Sequence, residues 1–168
     1  MRIEQLSTVS ESRDELVALL NDCVADGASV GFVAPLETGE AERYWQEVDD
    51  GLAKGERTLL VAREGCRIAG AVQIHYCPKK NGRHRAEVEK LMVHTAFRQR
   101  GIGRQLMTAL ESRARAHQRT LLVLDTRSDD TASLLYRKLG YQEAGRIPRF
   151  ALSSDGVLNS TTLFYKLL

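Results

Sequence analysis

The sequence predicts a mixed α/β fold, and three observations carry that prediction. Two amphipathic helical stretches open the chain, and two β-rich runs around a glycine turn follow them. A strand, a glycine loop, a helix and a buried strand then succeed one another, which implies a parallel crossover. A tight hairpin requires antiparallel pairing, so one sheet has to contain both kinds.

Ser12 and Glu15 have capping-box spacing ahead of Leu16, Val17, Leu20, Cys23 and Val24, which predicts the first helix. A second is expected from about Glu40 to Lys54, with Ala41, Tyr44, Trp45, Val48 and Leu52 on one stripe and Gly55 to end it. The loop between them, Gly27 to Thr38, carries Val30, Phe32, Val33, Pro35 and Leu36. A connection that apolar either walls a substrate pocket or packs over the core.

Thr58 to Ala62 and Ile68 to Tyr76 read as antiparallel neighbours joined at Gly65. Ala86 to Val93 reads as a strand with Glu87, Glu89, Leu91 and Val93 on one face and Ala86, Val88, Lys90 and Met92 on the other. Ile102, Leu106, Leu110 and Ala114 mark a helix, and Thr120 to Leu124 a buried strand ending at Asp125. A short helix entered at Ser128 or Asp129 carries Ala132, Leu135, Tyr136 and Leu139 and stops at Gly140. Strands are expected near Tyr141 to Ala144 and Thr161 to Leu167.

With 168 residues, 43% hydrophobic and 27% charged, and no internal repeat, the chain is expected to form one domain over 1–168. Met1 to Leu6 lacks the apolar run of a signal peptide, and no stretch is long and apolar enough for a bilayer, so a cytoplasmic protein without a membrane partner is expected. Cys23, Cys66 and Cys77 form an odd, widely spaced set that suits neither a disulfide framework nor zinc. A net charge of +2 is too small to suggest nucleic-acid binding. Basic residues cluster at Lys79 to Arg85 and at Arg98 to Arg104, and only the second cluster also has the geometry of an anion-binding loop.

Arg98-Gln99-Arg100-Gly101-Ile102-Gly103 lies between a strand and a helix, where first-turn amides lack intrahelical partners and form an anion site. Gly101 and Gly103 permit close approach of a phosphate, and the arginines add charged donors. A P-loop would need Gly-Lys-Ser or Gly-Lys-Thr, and the dinucleotide fingerprint a glycine where Leu106 stands. A pyrophosphate is the natural ligand, although glycine also serves merely to turn a chain into a helix.

That loop resembles the Arg/Gln-x-x-Gly-x-Gly/Ala motif of the GNAT superfamily of acyl-CoA-dependent N-acetyltransferases. Leu91-Met92-Val93-His94 upstream resembles the family's fourth strand, and Leu134 to Tyr141 its helix-to-strand segment. Arg85 to Val88, Lys90 to Val93, Gly103 to Met107 and Leu124 to Thr126 are similar to the tabtoxin-resistance acetyltransferases, from about residue 70 onward. The resemblance implies a GNAT fold, with a bulged fourth strand splayed from the parallel fifth and helices on both sheet faces. It implies acetyl-CoA as co-substrate, its pyrophosphate on Arg98, Gln99, Arg100, Gly101, Ile102, Gly103 and Arg104, and its pantetheine arm along Leu91, Met92 and Val93. It implies a small-molecule amine acceptor, with a toxin-like or amino-acid-like molecule and detoxification as the setting. A peptide N-acetyltransferase and a non-catalytic CoA sensor stand as alternatives, and a homodimer is the assembly common among such enzymes.

Acetyl transfer needs a neutral amine, so a proton acceptor helps. Glu87 and Asp125 can face one cleft from neighbouring strands, and the resemblance makes these carboxylates the bases. Read plainly, Glu87 is a solvated residue or partner of Lys90 or Arg85, Asp125 binds the next turn, and Glu89 is an alternative base. Tyr136 on its apolar stripe reads as a core aromatic, whereas the resemblance makes it the general acid for the departing thiolate. His75, His84, His94 and His117 are scattered, without spacing for a metal site or a cysteine-histidine pair, which favours direct transfer in a ternary complex.

Overall fold

The computed structural model describes residues 1–168 as β1 (Arg2–Leu6), α1 (Arg13–Ala25), α2 (Glu40–Ala53), β2 (Arg57–Glu64), β3 (Arg67–Tyr76), β4 (Arg85–Val93), α3 (Ile102–Ala116), β5 (Leu121–Arg127), α4 (Thr131–Lys138), β6 (Gln142–Leu152) and β7 (Leu158–Leu167). Its seven strands form one sheet in the order β1-β2-β3-β4-β5-β7-β6. Every pairing is antiparallel except β4 with β5. No helix is long and apolar enough to cross a membrane.

Each sheet face carries its own core. Leu16, Leu19 and Leu20 of α1 and Trp45 and Val48 of α2 bury against Leu59, Val61, Ala71 and Met92. On the other face, Leu106, Met107 and Leu110 of α3 and Tyr136 of α4 pack on Val72, Val88, Leu122, Leu124 and Phe164. Removal of this apolar surface from water on both sides holds the sheet as a central layer.

Several expectations are revised. Ser12 precedes α1 but makes no capping bond. Its hydroxyl accepts from Arg63 Nη2 at 2.5 Å, while Glu15 accepts from Arg63 at 3.0 Å and from the Ile68 amide at 2.9 Å. The capping-box residues therefore tie α1 to the β2–β3 hairpin. β1 carries no sequence signal strong enough to announce it, and it exists by pairing with β2. Asp125 does not end β5, which runs on to Arg127 because β7 pairs with it there. The entry to α4 lies at Asp130, whose carboxylate accepts from the Ser133 amide at 3.0 Å, later than Ser128 or Asp129.

Two irregularities in β4 shape the site. Between Ala71↔Met92 and Gln73↔Glu89, β4 advances one residue further than β3, which is a bulge. Lys90 sits in it with φ 54°. The bulge breaks the expected alternation: Leu91 and Val93 join Ala86 and Val88 on the α3 side, while Met92 faces α1 and α2. Moreover, β4 pairs with β5 only at Arg85, Ala86 and Glu87. Beyond Glu87 the parallel strands separate, leaving facing main-chain edges without a strand partner.

Candidate active site

Three components meet at this split: the loop leading into α3, the facing strand edges, and a cluster of titratable side chains on the α1 and α2 side.

The loop turns through Gln99 at φ 61° and Gly101 at φ 75°, a left-handed step that suits glycine. The amides of Gln99, Arg100, Gly101, Ile102, Gly103 and Arg104 make no hydrogen bond within the chain, and Gly101 caps α3 without a side-chain bond. The positive end of the α3 dipole adds to this row of free donors, an arrangement that can hold an anion. A Cβ on Gly103 would stand 3.2 Å from Leu135 Cδ2, so that glycine also lets α3 approach α4. The arginines divide. Arg98 is bonded to Asp26 and donates to the Val93 carbonyl at 3.2 Å, bracing the loop against α1. Arg100 pairs with Glu64 at 3.2 Å and lies over the Phe97 ring, on the surface where such pairs are weak. Arg104 is exposed in the first turn of α3.

Leu91, Met92 and Val93 lie along the open part of β4, with Gly70 and Ala71 opposite Val93 and Met92 on the closed side. Their other edge faces the split, where a ligand can complete the ladder.

Glu87 stands opposite His75 on β3 and beside Val123 on β5. Asp125, two residues further along β5, shares the Glu87 face, and its Oδ2 accepts from Thr161 at 2.7 Å. Glu89 is held by Arg57 Nη1 at 2.8 Å, and that guanidinium also donates to Gln73 at 3.2 Å, which donates in turn to the Tyr44 hydroxyl at 2.6 Å. His75 Nδ1 lies 3.5 Å from Glu89. Glu87 is free of ion pairs and hydrogen bonds. Although it is open to solvent, partial burial in the cleft raises its pKa above the ordinary carboxylate range, and the Glu89 and Asp125 charges push the same way.

His75, Glu87 and Glu89 bring their ligand atoms within 4.8 Å of one another, a cluster that sequence spacing missed because the β3–β4 register makes it. Arg57 already occupies Glu89, which opposes a metal there.

Tyr136 lies on the opposite sheet face. It is buried, 5.7 Å from the Tyr141 ring and 6.0 Å from Phe164, so it is a core aromatic as its stripe suggests. Burial, then Asp130 and Asp125, raise its pKa and keep its hydroxyl protonated. The split thus separates two carboxylates on one side from one phenol on the other.

The Gly27 to Thr38 loop both packs and encloses. Val30, Phe32, Ala34 and Leu36 lie against the α1–α2 core. Gly27 to Ser29 and Gly31 to Val33 also wall a cleft of about 240 Å³ with Ala151 to Ser154 of β6 and the turn after it. Glu87 and Asp125 are not in its lining, but Arg127 donates to the Gly27 carbonyl at 3.3 Å and so joins the cleft wall to β5.

Residues 13–141 match the model of the acetyltransferase (GNAT) family. An uncharacterised N-acetyltransferase of the hisH-hisA intergenic region of Azospirillum brasilense is 33% identical over 129 residues, 74% of this chain and 74% of that protein. An L-methionine sulfoximine/L-methionine sulfone acetyltransferase of Pseudomonas paraeruginosa is 26% identical over 140 residues, 80% of this chain and 77% of its own. The structure of yncA from Salmonella typhimurium with its cofactor acetyl-CoA aligns with a TM-score of 0.79 at 19% identity, over 99% of this chain and 93% of that one.

Proposed function

The chain belongs to the GNAT acetyltransferase family, whose members use acetyl-CoA, and from that premise we propose that it acetylates a primary amine of a small molecule by direct attack in a ternary complex. Glu87 carries this reading: an unpaired carboxylate of raised pKa at the mouth of the split. The amine nitrogen attacks the thioester carbonyl carbon, its proton passes to Glu87 with Asp125 beside it, and the carbon–sulfur bond breaks. The departing sulfur takes the hydroxyl proton of Tyr136 and leaves as the thiol, and exchange of protons with solvent returns Tyr136 and Glu87 to their starting states. A thiolate excluded from water in the split is more basic than in solution, which offsets the raised pKa of the buried Tyr136.

Glu89 is the less available base, since Arg57 is bonded to its carboxylate at 2.8 Å. The pyrophosphate of the donor lies on the amides of Gln99 to Arg104 with Arg100 and Arg104 nearby, and the pantetheine arm follows Leu91, Met92 and Val93. Arg98 braces this loop.

An acceptor that is amino-acid-like, or toxin- or antibiotic-like, in a cytoplasmic detoxifying role close to the tabtoxin-resistance group, is supported by the relative whose named substrates are methionine derivatives. The alternative is a protein or peptide amine. A panel of free amino acids, aminoglycosides and peptides, assayed for acetyl-CoA-dependent thiol release, separates them: turnover of the free amines is expected, and turnover confined to peptides defeats the small-molecule reading.

A homodimer belongs to the same proposal. Exposed Ile147, Phe150 and Leu152 on the edge strand β6 support it, because exposed apolar side chains on a sheet edge favour association. Phe150→Glu is expected to shift the sedimenting species from dimer to monomer; a wild-type monomer contradicts this.

A further inference from the structure

Lys90 occupies the β4 bulge with φ 54°, a backbone conformation that is unfavourable for any residue with a Cβ and that concentrates at ligand sites. Its side chain is half-buried. The ammonium lies 5.8 Å from the ring centres of both Phe32 and Tyr44, and 3.1 Å from where a Cβ on Gly31 would stand. Gly31 and Phe32 wall the cleft beside β6. Glu89, the adjacent carboxylate, is engaged by Arg57 and His75 and leaves Lys90 without a direct ion pair. An ammonium has three N–H donors, and ring faces satisfy none of them with an oxygen.

The bulge turns Lys90 to the same side of the sheet as Glu87, Glu89 and Asp125. Glu87 and Lys90, on either side of the point where the bulge begins, thus present from one strand a carboxylate suited to an amine and an ammonium suited to a carboxylate. In an α-amino acid those two groups sit on one carbon. We infer that Lys90 recognises the carboxylate of the acceptor, and that the acceptor is an α-amino acid or a close analogue, its amine toward Glu87. The inference rests on the acetyl transfer proposed above and names its substrate class. Burial and the Arg57 charge lower the pKa of Lys90 while Glu89, Asp125 and Glu87 oppose that effect, and an incoming carboxylate would add to that opposition.

The test pairs several α-amino acids, L-methionine sulfone among them, each with the amine that lacks its carboxylate. Wild-type kcat/KM is expected to favour the amino acid about 10- to 100-fold, mainly through KM, as suits a charge-assisted hydrogen bond. Lys90→Met is expected to bring that ratio close to one, and Lys90→Arg to keep most of it. A wild-type enzyme indifferent to the carboxylate overturns the inference, as does a Lys90→Met enzyme that loses both members of each pair equally. Absence of turnover with every amine overturns the acetyl transfer itself.

Discussion

Glu87→Gln is expected to lower kcat/KM about 10²- to 10⁴-fold at neutral pH, the range over which a positioned general base contributes. The loss has a definite pH dependence. In the wild type, activity falls as pH drops through the pKa of Glu87, which lies above the usual carboxylate range. The variant has no such limb. Its rate climbs with pH as the amine, with a pKa of about 10, deprotonates in solution, so the two enzymes converge at high pH. Unchanged pH-rate profiles would remove Glu87 from the base role.

Stability separates this effect from misfolding. A folded-state pKa raised above the unfolded value contributes stability below the unfolded pKa, and that contribution is lost as pH rises through the folded pKa. At neutral pH the charged Glu87 therefore weakens the fold, and Glu87→Gln is expected to melt no lower than the wild type.

Arg104→Glu is expected to weaken acetyl-CoA binding about 10- to 100-fold, since it removes a charge-assisted contact and sets a carboxylate against the pyrophosphate. The substitution is informative because the helix favours it. Arg104 lies in the first turn of α3, where a negative side chain complements the dipole. The melting temperature should hold or rise while the calorimetric Kd worsens. Equal affinity would place the phosphates away from the α3 terminus.

Helices and most strands were legible because periodicity is local: the α2 stripe through Ala41, Trp45 and Val48 is buried as expected. The glycine loop was legible for the same reason, since residues adjacent in sequence build it. What escaped depends on register. The bulge puts a lysine in a left-handed conformation, against propensity, and no pattern in Glu87 to Val93 marks where alternation slips. Leu91 and Val93 consequently lie on the face opposite to the one that simple alternation predicts. His75 joins Glu87 only through the β3–β4 pairing, and Arg98 turns to Asp26, just past the end of α1 and far away in sequence. The pairing of β6 with β7 over their full length likewise lay beyond the short strand signals near Tyr141 and Thr161.

Direct transfer leaves no acetyl group on the protein; of its three cysteines, Cys23 is buried with its thiol pushed up to about 11, Cys66 lies exposed in the β2–β3 turn and Cys77 is half-buried just after β3. The decisive measurement is intact mass together with thiol release, after mixing the protein with acetyl-CoA alone and then with an amino-acid acceptor. Direct attack predicts an unmodified protein throughout and thiol release only once the amine is added. A protein that gains an acetyl group before any amine is present would contradict it.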